Sequence, residues 1–152
     1  MNNNSVENIT KALPKIEKDH RIVSTGDLGE DQEVSKLSKK GILYVSSRGI
    51  QQKDSNFTLK DGDLLITEYP SGTRTSIERK GKMNRIVAAF SKALVIVSSS
   101  SDADIHPLLR QYSDLEKNIF CFKGSGADNS GNEKLLKAGI ELIEDINDKV
   151  LA

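Results

Sequence analysis

The sequence predicts an α/β fold: a doubly wound, mainly parallel sheet flanked by helices, of the Rossmann-like kind. Three observations carry the prediction. Short apolar runs alternate with amphipathic stretches along the chain, the runs are close to continuously apolar, and the connections between them are short. A strand buried on both faces needs the second property, and sequential parallel strands need the first. The length of 152 residues suits one compact unit. Residues 21–152 are therefore read as a single Rossmann-like domain, with residues 1–20 as an N-terminal polar and helical extension.

In chain order, the Asn-rich start gives way to a leading helix that reaches Lys18. "HRIVSTGD" is a short strand ending in Ser24-Thr25-Gly26, and "GEDQEVSKLSKK" is an acidic helix with a narrow Val34 and Leu37 stripe, closed by Gly41. "ILYVSS" and "DLLITEY" are the second and third strands. "MNRIVAAFSKA" is a helix with Met83, Ile86, Val87 and Phe90 at helical spacing, leading into the strand "LVIVSS". "DIHPLLRQYSDLEK" is helical, "NIFCFKG" is a strand, and "GNEKLLKAG" is a helix with Gly139 just past its end. "IELIEDINDKVLA" supplies a last strand and a terminal turn or helix.

Composition narrows the function classes. Lys+Arg and Asp+Glu both number 22, so the chain lacks the overall basic balance of a dedicated nucleic-acid binder and any cationic site must be local. No run has the length of a signal peptide core or a membrane span, and a cytoplasmic protein is expected. The single cysteine, Cys121, sits in "IFCF" and reads as a buried structural thiol. His20 and His106 have no partner at a spacing that makes a general base, and no metal-ligand cluster or cofactor fingerprint is present. Glu68, beside Tyr69 at a strand end, is the one catalytic candidate, and a non-enzymatic protein is expected.

Ligands of a doubly wound sheet bind outside the carboxyl ends of its strands. Small polar residues collect there: Ser24 and Gly26 with Gly29 just beyond, Ser47-Arg48-Gly49, Ser98 to Ser101, and Gly124-Ser125-Gly126. Such residues let a ligand approach backbone N–H groups, and a following helix start adds positive potential for phosphate. Between the third strand and its helix, Arg74, Arg79, Lys80, Lys82 and Arg85 crowd into 12 residues with Glu78 as the one acid. Asn84 and Arg85 open the expected helix and are candidates for phosphate or base contacts. With only three Tyr and four Phe, most of them in expected core, a multi-base stacking platform is not expected.

From Ser24 onward the chain resembles the DNA-processing protein A (DprA/Smf) family. "GDLLITEYPSG" resembles the family's Gly-x-hydrophobic-hydrophobic-Ser-Glu-Tyr-Pro-x-Gly, and "MNRIVAAFSKALVIV" resembles its Arg-Asn-Arg-Ile-Ile-Ala-Gly-Leu-Ser segment with the following strand. "SGNEKLLKAG" resembles its Ser-x-Gly-x-Asn-x-Leu-Ile-x-x-Gly-Ala, with Gly131 one place nearer the serine, and "STGDLGED" keeps Ser24, Gly29 and Asp31. The departures are Leu28 and Met83, which stand where the family has arginines, and a first core strand, helical N-terminal domain and winged helix that the sequence does not show. The resemblance implies a minimal, divergent member with a Rossmann-like core that binds single-stranded DNA, with a recombinase partner and homodimerisation. Its anion-holding loops would equally suit a small nucleotide or nucleotide-derived signal, and a degenerate partner-binding domain is the third alternative.

Overall fold

The computed structural model describes residues 3–26, 30–50, 58–100, 104–123 and 130–152. Strands β1 (Val23–Ser24), β2 (Leu43–Ser46) and β3 (Leu64–Thr67) form one parallel sheet in the order β1-β2-β3. Strands β4 (Ala93–Ile96), β5 (Asn118–Phe122) and β6 (Glu141–Ile143) form a second in the order β4-β5-β6. The helices are α1 (Asn3–Asp19), α2 (Glu30–Leu37), α3 (Ile77–Phe90), α4 (His106–Asp114), α5 (Ser130–Lys137) and α6 (Asp148–Leu151). The expected parallel, doubly wound arrangement is present, divided between two three-stranded sheets.

Alternation along the strands assigns the two layers of helices. Phe120 and Phe122 of β5 pack with Ala12 of α1 and Val150 of α6, joined by Ala93, Val95 and the adjoining Val97. Cys121, between the two phenylalanines, points the other way, with Ile96, Leu94, Leu109 of α4 and Leu135 of α5. Period-two geometry sends successive side chains to opposite faces, and here both faces are covered. In the first sheet Val45 packs with Met83 and Val87 of α3, and Val23 and Ile66 lie against the same cluster.

The N-terminal helix is built into this core. Ile9, Ala12 and Leu13 are buried, and the Glu17 carboxylate is buried too. That carboxylate accepts hydrogen bonds from the Lys39 and Lys40 backbone N–H groups at 3.2 and 3.3 Å and from the Ser38 hydroxyl, which ties the end of α1 to the turn before β2.

Three expectations are corrected. The helix expected to open at Met83 starts at Ile77, because Ser76 caps it, accepting from the Arg79 N–H at 3.2 Å. Gly41 does not close α2, which ends at Leu37; a Cβ at Gly41 would lie 1.8 Å from the Gly62 carbonyl oxygen, so the glycine is needed for a close chain crossing. Phe90, expected on the buried stripe of α3, is 61% exposed, and Leu37 on α2 is also exposed. Gly139 does follow α5: its N–H and that of Ile140 donate to the carbonyls of Leu136 and Leu135 at 3.1 and 3.2 Å.

Two outcomes follow from this packing. Leu13→Ala should lower unfolding free energy in urea by about 2–5 kcal/mol, the range for a buried leucine; a neutral result would mean that α1 is detachable. Cys121 is fully buried, and burial pushes its thiol from 9.0 up to about 11. Its preference for the neutral form therefore stabilises the fold fully below pH 9.0, and that contribution is lost as pH rises toward about 11. At pH 8 a thiol reagent should label Cys121 only as fast as the protein unfolds, with prompt labelling in denaturant as the positive control.

Candidate nucleic-acid interface

At the end of β1, the Gly26 N–H donates to the Ser24 hydroxyl at 3.1 Å, and the Thr25 hydroxyl donates to Asp31 of α2 at 2.7 Å. Ser24 itself is buried, so its hydroxyl serves the turn. Gly29, and Leu28 at the position of a family arginine, lie outside the described residues, as do Gly124 and Ser125 after β5.

The loops after β2 and β3 are fastened to each other. Thr67 donates to the Arg48 carbonyl at 2.8 Å and accepts from the Tyr69 N–H at 3.1 Å, while the Gly49 N–H donates to the Thr73 carbonyl at 2.9 Å. The hydroxyls of Ser47 and Thr75 share a hydrogen bond of 2.6 Å, and Ser46 holds both the N–H and the carbonyl of Arg48. A Cβ on Gly49 would stand 1.9 Å from the Pro70 carbonyl oxygen, so a larger residue there would force the two loops apart. Ser47, Arg48 and Gly49 are thus brought directly against the Pro-Ser-Gly turn that follows β3.

The cations expected in a loop are carried mainly by the first half of α3. Arg79 lies over the Tyr69 ring, 5.6 Å from its centroid, and donates to the Arg74 carbonyl at 2.7 Å. Lys82 pairs with Glu78 one turn earlier at 2.7 Å, which raises the lysine pKa and lowers that of the carboxylate. Arg85 pairs with Glu68, linking α3 to the end of β3. Two of the sequence candidates, Lys82 and Arg85, therefore have carboxylate partners, and Glu68 is engaged by an arginine. Asn84 lies seven residues past Ile77, about two turns into the helix, away from the N-terminal N–H groups to which it was assigned. The Tyr69 hydroxyl is turned inward beside Glu68, and burial, followed by the Glu68 charge, raises its pKa.

At the ends of β4 and β5 the fastening residue is Asn132, which was not among the expected site residues. It is fully buried, donates to the carbonyls of Val97 and Phe122 at 3.0 Å each, and accepts from the Ser99 hydroxyl at 3.0 Å. The Gly131 N–H adds a bond to the Ser99 carbonyl at 3.0 Å. The sequence signal was available in the matched "SGNEKLLKAG" segment, whose asparagine belongs to the family pattern. Among the described residues no group of three or more His, Cys, Asp and Glu could hold a metal, and no helix is long and apolar enough to cross a membrane.

Two substitutions separate fastening from surface charge. Asn132→Ala leaves two strand-end carbonyls without a donor and should destabilise the fold on the order of 3 kcal/mol. The Arg85 and Glu68 side chains are 56% and 28% exposed, and a double-mutant cycle of Arg85→Ala and Glu68→Gln should return a coupling of at most about 1 kcal/mol. A coupling several times larger would make this pair a structural element.

The fold has counterparts among solved structures. The chain aligns with DNA processing protein A from Streptococcus pneumoniae at a TM-score of 0.79 and 18% identity, covering 95% of this chain and 55% of that one. It aligns with DNA processing protein A from Helicobacter pylori, a structure that describes that protein's single-stranded DNA binding mode, at a TM-score of 0.84 and 20% identity, covering 99% of this chain and 74% of that one. The chain thus spans only about half the length of the first relative. No curated protein sequence matches it. The sequence model of DNA recombination-mediator protein A matches residues 4–152, and the chain belongs to that family.

Proposed function

We propose that this protein binds single-stranded DNA along the carboxyl ends of β2 and β3 and the first half of α3, without catalysing a reaction on it. One observation carries the reading: Arg74, Arg79, Lys80, Lys82 and Arg85 lie within 12 residues with Glu78 as the one acid among them, four of them on α3 and Arg79 over the Tyr69 ring, in a protein whose total charge is zero. Phosphates are drawn to such a local excess even where net charge gives no attraction. Ser47, Arg48 and Gly49 lie next to it, so their backbone belongs to the same surface. Ser24 and Gly26 extend the proposed edge to the end of β1, while Gly29, Gly124 and Ser125 lie outside the described residues.

Binding of this kind is dominated by backbone phosphates. Tyr69 has Arg79 on one side and its hydroxyl buried, which leaves little ring for a base. Carboxylates paired with Lys82 and Arg85 must be displaced or shared when a phosphate arrives, which weakens each contact. Family membership and the Helicobacter pylori relative support the choice of single-stranded DNA as ligand. A cytoplasmic setting, a recombinase partner and a homodimer belong to the same reading.

Titrating a fluorescein-labelled oligothymidine at several salt concentrations tests it. For three to five phosphate contacts, log affinity should fall against log salt with a slope of roughly −2 to −3.5. Arg79→Ala and Lys80→Ala should each weaken binding by about 10- to 100-fold at low salt with little change in melting temperature. Glu68→Gln should strengthen it, by removing a repelling charge and releasing Arg85. Absence of binding at micromolar protein, or a melting temperature raised by mononucleotides and not by the oligonucleotide, would overturn the reading.

A further inference from the structure

The first half of α3 carries two residues that the fold itself does not account for. Ile77, the first residue of the helix, is 92% exposed, more than any other large apolar residue among those described. Gly81 stands one turn later, inside the helix, where glycine costs about 1 kcal/mol relative to alanine. Its backbone is not left-handed, and a Cβ placed on it would meet nothing within 4 Å, so neither conformation nor packing within the chain demands glycine there. Residues i, i+4 and i+7 share a helix face, which puts Ile77, Gly81 and Asn84 in one row about 10.5 Å long. Asn84 is half-buried, and its side-chain amide makes no hydrogen bond to a described residue.

We propose that this row seats one nucleobase of a bound single strand: Ile77 gives apolar contact to the base, Gly81 lets it lie close against the helix backbone, and the Asn84 amide meets its edge. The seat presupposes the single-stranded DNA reading above and supplies what phosphate contacts cannot. A duplex carries one charge per about 1.7 Å of axis, so a surface of cations alone would hold it at least as readily as a single strand. Choosing the single strand requires contact with base faces, which a duplex hides in its stack. Tyr69, with Arg79 over its ring, offers little of that contact. The row on α3 offers an exposed aliphatic side chain, a bare stretch of helix and an amide with both a donor and an acceptor.

The surroundings select the occupant. Arg79, Lys80, Lys82 and Arg85 lie on the same two turns as the row, which suits a polyanion whose bases project from a charged backbone. An apolar protein surface covering Ile77 would have to bury these cations against it. Glycine at position 81 fits the same occupant, because a flat ring gains from close approach and a side chain there would lift it off the helix.

The test compares labelled oligothymidine with an abasic strand of equal length, which keeps the phosphates and lacks the bases. The unmodified protein should bind oligothymidine about fivefold more tightly, the lower end of the range for one base contact. Ile77→Ser and Gly81→Gln should each bring that ratio toward one, with the salt dependence and the affinity for the abasic strand unchanged. Gly81→Gln should at the same time raise the melting temperature by roughly 1–4 °C, since it replaces glycine with a helix former, so its loss of base contact cannot be ascribed to unfolding. Equal affinity of the unmodified protein for both strands, with the expected salt slope, would overturn the base seat and leave phosphate binding standing. A ratio that persists in both variants would overturn it too, by placing the base contact elsewhere. Binding of neither strand would overturn the seat together with the DNA reading on which it rests.

Discussion

A parallel strand cannot return to its neighbour through a short turn, and the form of this protein descends from that geometric constraint. Each crossover needs a helix, the helices must cover both faces, and all the strand ends of one sheet open on the same edge. Residues far apart in sequence meet there for this reason: Ser47 meets Thr75, Thr67 meets Arg48, and Asn132 meets both Val97 and Phe122. The constraint also explains why the fastening groups are polar. A strand end buried beneath a helix leaves carbonyls without a ladder partner, and a buried asparagine amide with two donors meets two of them at once.

Charge at this edge is arranged economically. A neutral protein gains a positive surface by concentrating cations on one helix and one turn, yet nearby carboxylates hold Lys82 and Arg85 in place. Exposed pairs of this kind contribute little to stability. Their effect falls on the geometry and on the competition that a phosphate faces. Met83, which stands where the family pattern has an arginine, has joined the core against Val45 of β2.

The interior has a second consequence. Each three-stranded sheet is well covered on its faces, and the coverage stops at the edges of β1 and β4, where aliphatic side chains from α1, α3 and α4 converge on an open slot. Faces are covered by helices connected through the chain itself.

The sequence by itself determined the elements with strong periodicity: six strands with mostly apolar cores, the helices between them, the buried thiol of Cys121 and the family pattern around Glu68-Tyr69-Pro70 and Asn84-Arg85. These features are local, since burial on both faces and helical spacing leave their mark within a few residues. Only the tertiary structure decided the rest. Whether Ser76 starts α3 depends on a cap that competes with a plausible loop reading of a Gly-containing basic stretch. Gly41 looks like a helix terminator until Gly62 is placed against it. Arg85 reads as a phosphate ligand until Glu68, 17 residues away, is brought to it. The polar start of the chain hides Ile9, Ala12 and Leu13, and the burial of Ala12 needs β4 and β5 from far along the sequence. Each of these depends on distant residues sharing one place, and that is fixed by the packing of layers and leaves no periodic trace in the chain.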